Sequence, residues 1–130
     1  MRVLIVDDHE GVRRAVRSTL EGYDHLQIVG EAGNGEEALE QTAKLLPDLI
    51  IMDISMPVLD GLSAAEIIKR FHPHIQILMF STHRVRDFIE TAKTLGLSGY
   101  VAKDEDGPAL LHAVDAVLHN QTYFPATELP

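Results

Sequence analysis

Three aspartates are spaced so that they could share a cation. Asp7 and Asp8 close the apolar run Val3-Leu4-Ile5-Val6, and Asp53 closes a second run, Leu49-Ile50-Ile51-Met52. If these runs are neighbouring strands of one parallel sheet, the three carboxylates meet at its carboxyl edge, where open α/β sheets bind ligands. Like charges that close resist ionising together without a cation between them. The spacing therefore points to a hard divalent metal beside a reactive aspartate.

The elements that must position these acids follow from the hydrophobic pattern. Short apolar runs alternate with segments of helical period, as in a parallel sheet with helices on both faces. Strands are read at Arg2 to Asp7, Leu26 to Ala32, Asp48 to Asp53, Ile75 to Phe80 and Gly99 to Ala102, each apolar enough to be covered on both faces. The first helix puts Val12, Ala15, Val16, Thr19 and Leu20 on one face and Arg13, Arg14 and Arg17 on the outer one. It is expected to end at Gly22 in a left-handed cap. Asn34 with Glu37, and Ser63 with Glu66, read as capping boxes opening helices that run to about Leu46 and Phe71. A fourth helix aligns Val85, Phe88, Ile89, Ala92 and Leu95 before Gly96, and a fifth aligns Leu110, Val114, Val117 and Leu118 after Pro108. These stripes are core rather than site.

The composition excludes several functions. At 130 residues, 45% hydrophobic and 24% charged, the chain fits one ordinary globular domain. Twenty acidic residues against 11 basic ones give a net charge of −9, which repels a phosphate backbone. With no cysteine, disulfides and thiolate chemistry are excluded. The first apolar run is too short for a signal-peptide core and no stretch approaches the ~18 residues of a membrane span, so no membrane partner and a cytoplasmic location are expected. The seven histidines do not argue for zinc, because His72 and His74 straddle Pro73 and no pair has helical metal-binding spacing. His9 and His83 follow the first and fourth strands, at the rim of the expected pocket. From Asn120 onward the chain reads as the exit of the domain.

Asp7-Asp8 after the first strand, Asp53 after the third, Ser81 after the fourth and Lys103 after the fifth together resemble the receiver domain of two-component response regulators. Met56-Pro57, Asp60-Gly61 and Gly99-Tyr100 support the resemblance, which covers Arg2 to about Pro125 and leaves 126–130 as a tail or the start of a linker. Asp7-Asp8-His9 with Val12-Arg13, Gly99-Tyr100-Val101-Ala102-Lys103-Asp104 and Tyr123-Phe124-Pro125 resemble the subfamily that usually precedes a helix-turn-helix DNA-binding domain. The resemblance implies a flavodoxin-like, doubly wound α/β fold: five parallel strands in the order 2-1-3-4-5, with five helices. A receiver is itself a standing example of that order; the count of five strands comes from the residues.

The resemblance also implies roles. Asp53 would accept a phosphoryl group from the phosphohistidine of a sensor histidine kinase or from a small phosphodonor, with Mg²⁺ or Mn²⁺ held by Asp7, Asp8, Asp53 and the backbone carbonyl of Ser55. Lys103 would offer an ammonium to a phosphoryl oxygen, while Ser81 and Tyr100 would switch the face formed by the fourth helix, fifth strand and fifth helix. The domain would be a phosphoacceptor that assists its own phosphorylation and dephosphorylation, not an enzyme. Two copies would pair on phosphorylation, and DNA would be reached only through an output domain absent from this sequence, to control transcription. His83 is expected to affect how fast water reaches the phosphoaspartate. Many receivers have proline after the lysine; Asp104 stands there, so a trans bond is expected.

Plainer readings exist for each residue. An Asp-Asp pair can cap a helix through Asp8 or His9, Ser81-Thr82 can do the same, and tyrosine favours strands. A flavodoxin-type electron carrier would need a neutral phosphate loop where Asp7-Asp8-His9-Glu10 stands. Asp53-Ile54-Ser55 lacks the second carboxylate of aspartate-dependent phosphohydrolases, and a receiver that only docks partners would not need every acidic, hydroxyl and lysine position filled.

Overall fold

The computed structural model describes residues 1–82, 85–103 and 107–124. Its strands are β1 (Arg2–Val6), β2 (Gln27–Ala32), β3 (Leu49–Met52), β4 (Gln76–Ser81) and β5 (Gly99–Ala102). The helices between and after them are α1 (Glu10–Glu21), α2 (Gly35–Leu45), α3 (Gly61–Phe71), α4 (Val85–Thr94) and α5 (Gly107–Leu118). All pairings are parallel and the sheet order is β2-β1-β3-β4-β5, as expected.

Side chains alternate across the sheet with period two, and each set has its own core. Leu4, Val6, Ile50, Met52, Ile77, Met79 and Tyr100 pack with Ala38, Ala64, Ala65, Ile68 and Ala92, which places α2, α3 and α4 on that face. Val3, Ile5, Leu49, Ile51, Leu78 and Val101 pack with Val16, Leu20, Ala113, Val114 and Val117, which places α1 and α5 on the other. The central strands β1 and β3 are buried from Val3 and Leu49 onward. β2 departs from the expectation: four of its residues are only half-buried, because it is an edge strand and its register against β1 slips between Val3 and Leu4.

Several local readings are corrected. α3 starts at the capping residue Asp60, whose carboxylate accepts from the backbone N–H of Ser63 at 2.8 Å, so the Ser63/Glu66 box does not form. Asn34 does cap α2, accepting from Glu37 N at 2.8 Å, while the Glu37 carboxylate turns to Gly33 N and Asn34 Nδ2. Gly22 ends α1 in right-handed geometry, and Ala15 is exposed while Arg13 and Arg17 are half-buried, because both arginines reach toward the β2 edge. The segment after α5 is not simply an exit. Tyr123 forms a parallel bridge with Gly99, donating to Ser98 O at 2.8 Å and accepting from Tyr100 N at 2.9 Å, so it covers the β5 edge.

Candidate metal and phosphoacceptor site

β1 and β3 are in register, Val6 opposite Met52, so the next residue of each strand emerges at the same level of the carboxyl edge. Asp53 N donates to Val6 O at 3.1 Å and Asp7 N to Ala32 O at 3.0 Å, which fixes both backbones as the ladder ends. Asp7 and Asp53 are consequently buried acids, 2% and 5% exposed. Buried carboxylates need partners, and each has them. Lys103, entering from the end of β5, sets its ammonium 2.6 Å from Asp7 Oδ2 and 3.1 Å from Asp53 Oδ2. Asp53 Oδ1 accepts from Ile54 N at 2.8 Å, and Asp7 Oδ1 from His9 N at 2.9 Å.

Asp8 stands at the rim. The ring of His9 leans over it, with Nδ1 3.1 Å from Asp8 Oδ1 and 3.2 Å from Asp7 Oδ1. One donor atom from each of Asp7, Asp8, His9 and Asp53 can be chosen so that all lie within 4.8 Å of one another. Three carboxylates make a hard oxygen donor set open on one side, and Lys103 already brings a cation to two of them; both observations fit a divalent ion such as Mg²⁺. A cleft of about 530 Å³ begins at Asp8 and runs past Ser55, Met56, Pro57 and Asp60 to Leu62 and Phe88.

Ser81 ends β4 opposite Ala102, fully buried, and its carbonyl accepts from Lys103 N at 2.8 Å. The strand ends thus bring Asp7, Asp8, Asp53 and Lys103 together, with Ser81 joined through backbone. Tyr100 lies deeper, completely buried on the α2/α3/α4 face. Ser55 lines the cleft. His83 and Asp104 fall outside the described residues, as does the tail 126–130.

His9 and the arginines Arg13 and Arg17 contribute more to the site than their sequence positions suggest. His9 was read as rim, yet its imidazole is part of the donor cluster. Arg13 donates from Nη1 to the carbonyl of Asp7 at 2.5 Å and from Nε to Glu31 at 2.9 Å, while Arg17 holds the other Glu31 oxygen at 2.7 Å. Burial alone would raise the Glu31 carboxyl, but hydrogen bonds from Arg17 and Arg13 outweigh it and hold that carboxyl below its ordinary range. The signal was present: arginines four apart on a helix face one acid at a strand end.

Residues 3–115 match the family described as the response regulator receiver domain. The chain belongs to that family. It is 34% identical over 124 residues to the transcriptional regulatory protein MctR of Rhizobium johnstonii, covering 95% of this chain and 58% of MctR. It is 44% identical over 107 residues to a protein-glutamate methylesterase/protein-glutamine glutaminase of Methanosarcina acetivorans, covering 81% of this chain and 30% of that protein. Among solved structures, the isolated receiver domain of RcsB from Salmonella enterica serovar Typhimurium, in the presence of the phosphomimetic BeF3⁻, superposes with a TM-score of 0.90 at 27% identity, covering 96% of this chain and 93% of that one. The chain therefore spans little more than half of MctR and under a third of the methylesterase. It is a receiver of the response-regulator type, a signalling domain whose likeness to MctR and RcsB agrees with the subfamily marks in its sequence. Among the described residues no helix is long and apolar enough to cross a membrane.

Proposed function

We propose that this receiver accepts a phosphoryl group on Asp53, from the phosphohistidine of a sensor histidine kinase or from a small phosphodonor, and that the modification changes its α4-β5-α5 face. The observation that carries this reading is the Asp53 carboxylate itself: buried at the sheet edge, held by Ile54 N on one oxygen and facing an ammonium on the other. A carboxylate oxygen of Asp53 bonds to phosphorus as the bond from phosphorus to the donor nitrogen breaks, and the imidazole leaves with that electron pair. When bound by Asp7, Asp8, Asp53 and the Ser55 carbonyl, Mg²⁺ or Mn²⁺ would neutralise phosphoryl oxygens and favour in-line attack. Ile54 N keeps the nucleophile oriented, and Lys103 is near enough to transfer its ammonium from Asp53 to a phosphoryl oxygen. Ser81 supplies a hydroxyl from the end of β4, and Tyr100 is the aromatic that responds behind it. Phosphorylation adds roughly −1.5 to −2 charges, so the leverage lies in binding one loop arrangement better than another.

Residues 1–125 would form the receiver and 126–130 the start of a linker, in a cytoplasmic protein whose copies pair on phosphorylation. The output would be transcription through a DNA-binding module, supported by the likeness to MctR and RcsB. The methylesterase relative supports a second reading, in which the same receiver governs a catalytic output. Intact-mass measurement after incubation with acetyl phosphate and Mg²⁺ tests the chemistry. A single phosphoryl adduct is expected, absent in Asp53→Asn and prevented by chelator; an adduct that persists in Asp53→Asn overturns the assignment.

A further inference from the structure

His9 contributes a nitrogen to the acidic cluster that the reading above leaves unused. Three features of its placement bear on this. It is the N-cap residue of α1 but makes no side-chain cap bond, so the ring is not needed by the helix. Its backbone N–H is fixed on Asp7 Oδ1, which pins the start of the side chain beside the two acids of β1. Its side chain is 68% exposed and still directs Nδ1 at both carboxylates.

Distances decide whether one ion could use all four donors. Oxygen and nitrogen ligands sit about 2.0–2.2 Å from a small divalent metal, so donors on opposite sides of it are about 4.0–4.4 Å apart. The four donor atoms here fall within 4.8 Å of one another, a few tenths of an ångström from that span. The surroundings make the nitrogen chemically distinctive. Mg²⁺ prefers oxygen and gains little from an imidazole, whereas imidazole suits the later divalent ions, whose affinity for nitrogen sites rises from Mn²⁺ through Co²⁺ to Ni²⁺.

We infer that His9 is a ligand of the receiver's metal site and biases it toward borderline transition ions over Mg²⁺. The inference rests on the acid cluster being the metal site proposed above, and it deepens that reading by assigning a specificity-determining residue. An imidazole that only hydrogen-bonded the carboxylates would move the affinities for Ni²⁺ and Mg²⁺ together. A ligand separates them.

The test is calorimetric titration of the whole chain with Ni²⁺ and with Mg²⁺, with pulsed EPR of bound Mn²⁺ to detect directly coordinated ¹⁴N. It is run in a His72→Gln/His74→Gln background, because those rings lie 6.4 Å apart and could hold Ni²⁺ themselves. His9→Gln should weaken Ni²⁺ on the order of 10–100-fold, the loss seen when even an outer-shell partner is removed, leave Mg²⁺ nearly unchanged and abolish the ¹⁴N coupling. His119→Gln, just past the end of α5, should change none of these. Equal shifts for both ions in His9→Gln, or a ¹⁴N coupling that survives it, overturns the role of His9. Asp8→Asn separates the two levels of the argument: loss of both ions keeps the acid cluster as the metal site whatever His9 does, and retention of both overturns the cluster itself.

Discussion

At the β1-β3 end of the sheet edge the site consists of charge, with three carboxylates, an imidazole and two arginines within reach. At the β4-β5 end it consists of Ser81 and Tyr100, neutral and fully buried. The difference teaches how a receiver divides its labour. Each buried acid at the charged end is hydrogen-bonded, which would hold the charge rigidly for the phosphoryl group and metal proposed above. Neutral groups packed in the core respond to small displacements with discrete repacking, because close-packed interiors are not continuously deformable. Lys103 ties the ends together: its backbone N–H belongs to Ser81 and its ammonium to Asp7 and Asp53.

Removing that tie gives the largest expected loss of stability. Lys103→Met leaves Asp7 and Asp53 buried with their ammonium gone, and breaking a buried pair from one side costs about 3–5 kcal/mol. Denaturant unfolding should show the loss in chelator, and Mg²⁺ should restore more stability to Lys103→Met than to the parent. Equal effects of Mg²⁺ on both would mean that the ammonium and the metal do not serve the same acids.

At each end one glycine packs directly against a backbone carbonyl. A Cβ on Gly61 would lie 1.8 Å from the carbonyl oxygen of Asp53, and one on Gly99 would lie 2.3 Å from that of Tyr123. Gly61→Ala must displace the backbone of Asp53, the proposed phosphoacceptor, costing about 3 kcal/mol and slowing phosphoryl uptake. Gly99→Ala must lift the Tyr123 edge bridge and shift the end of the Leu78 side chain, 2.9 Å from the added Cβ, so about 1–2 kcal/mol is expected with uptake preserved. Paired unfolding curves and phosphorylation time courses check this; equal slowing by both would erase the distinction between the ends.

Much of this was legible in the sequence because it depends on unmixed signals. Four-residue apolar runs ending in aspartate and alternating with segments of helical period read as buried strands that deliver acids to an edge, and the strand limits agree to within a residue or so. Less was legible where the outcome depends on competition between neighbours. Asp60 and Ser63 are both good caps three residues apart, and which begins α3 is set by Gly61, whose N–H reaches Ile54 O at 2.7 Å. The contact of the Lys103 ammonium with Asp7, a partner 96 residues away, has no local signal in the sequence. The Tyr123 bridge was invisible because a single backbone pairing leaves no periodicity.

A smaller effect is expected in the loop over the cleft. Val58 is 73% exposed and has φ of 70°, a left-handed conformation that a β-branched residue resists. Left-handed geometry costs roughly 1–2 kcal/mol for a non-glycine residue, offset by the greater unfolded-state freedom of glycine, so Val58→Gly should stabilise by about 0.5–1 kcal/mol. Thermal unfolding would show it. A fall in melting temperature would mean that the Val58 side chain contributes packing that outweighs its backbone.

The smallest effect tests whether the arginine brace belongs only to the charged end. The Glu31 carboxyl is depressed in the folded state, so its stabilisation is fully present above its unfolded pKa, about 4.3, and is lost as pH falls through the lower folded value. The side chains of Arg13, Glu31 and Arg17 are 19%, 32% and 37% exposed, and this partial solvent access limits the gain to under about 1 kcal/mol. Glu31→Gln should therefore be slightly less stable than the parent at pH 7, and the difference should shrink below about pH 4. Because Arg13 also donates to the Asp7 carbonyl, a freed Arg13 should loosen Asp7 and weaken metal binding while leaving the amide protection of Tyr100 unchanged. Hydrogen exchange that also accelerates at Tyr100 would show that the two ends are coupled through the sheet and not through Lys103 alone.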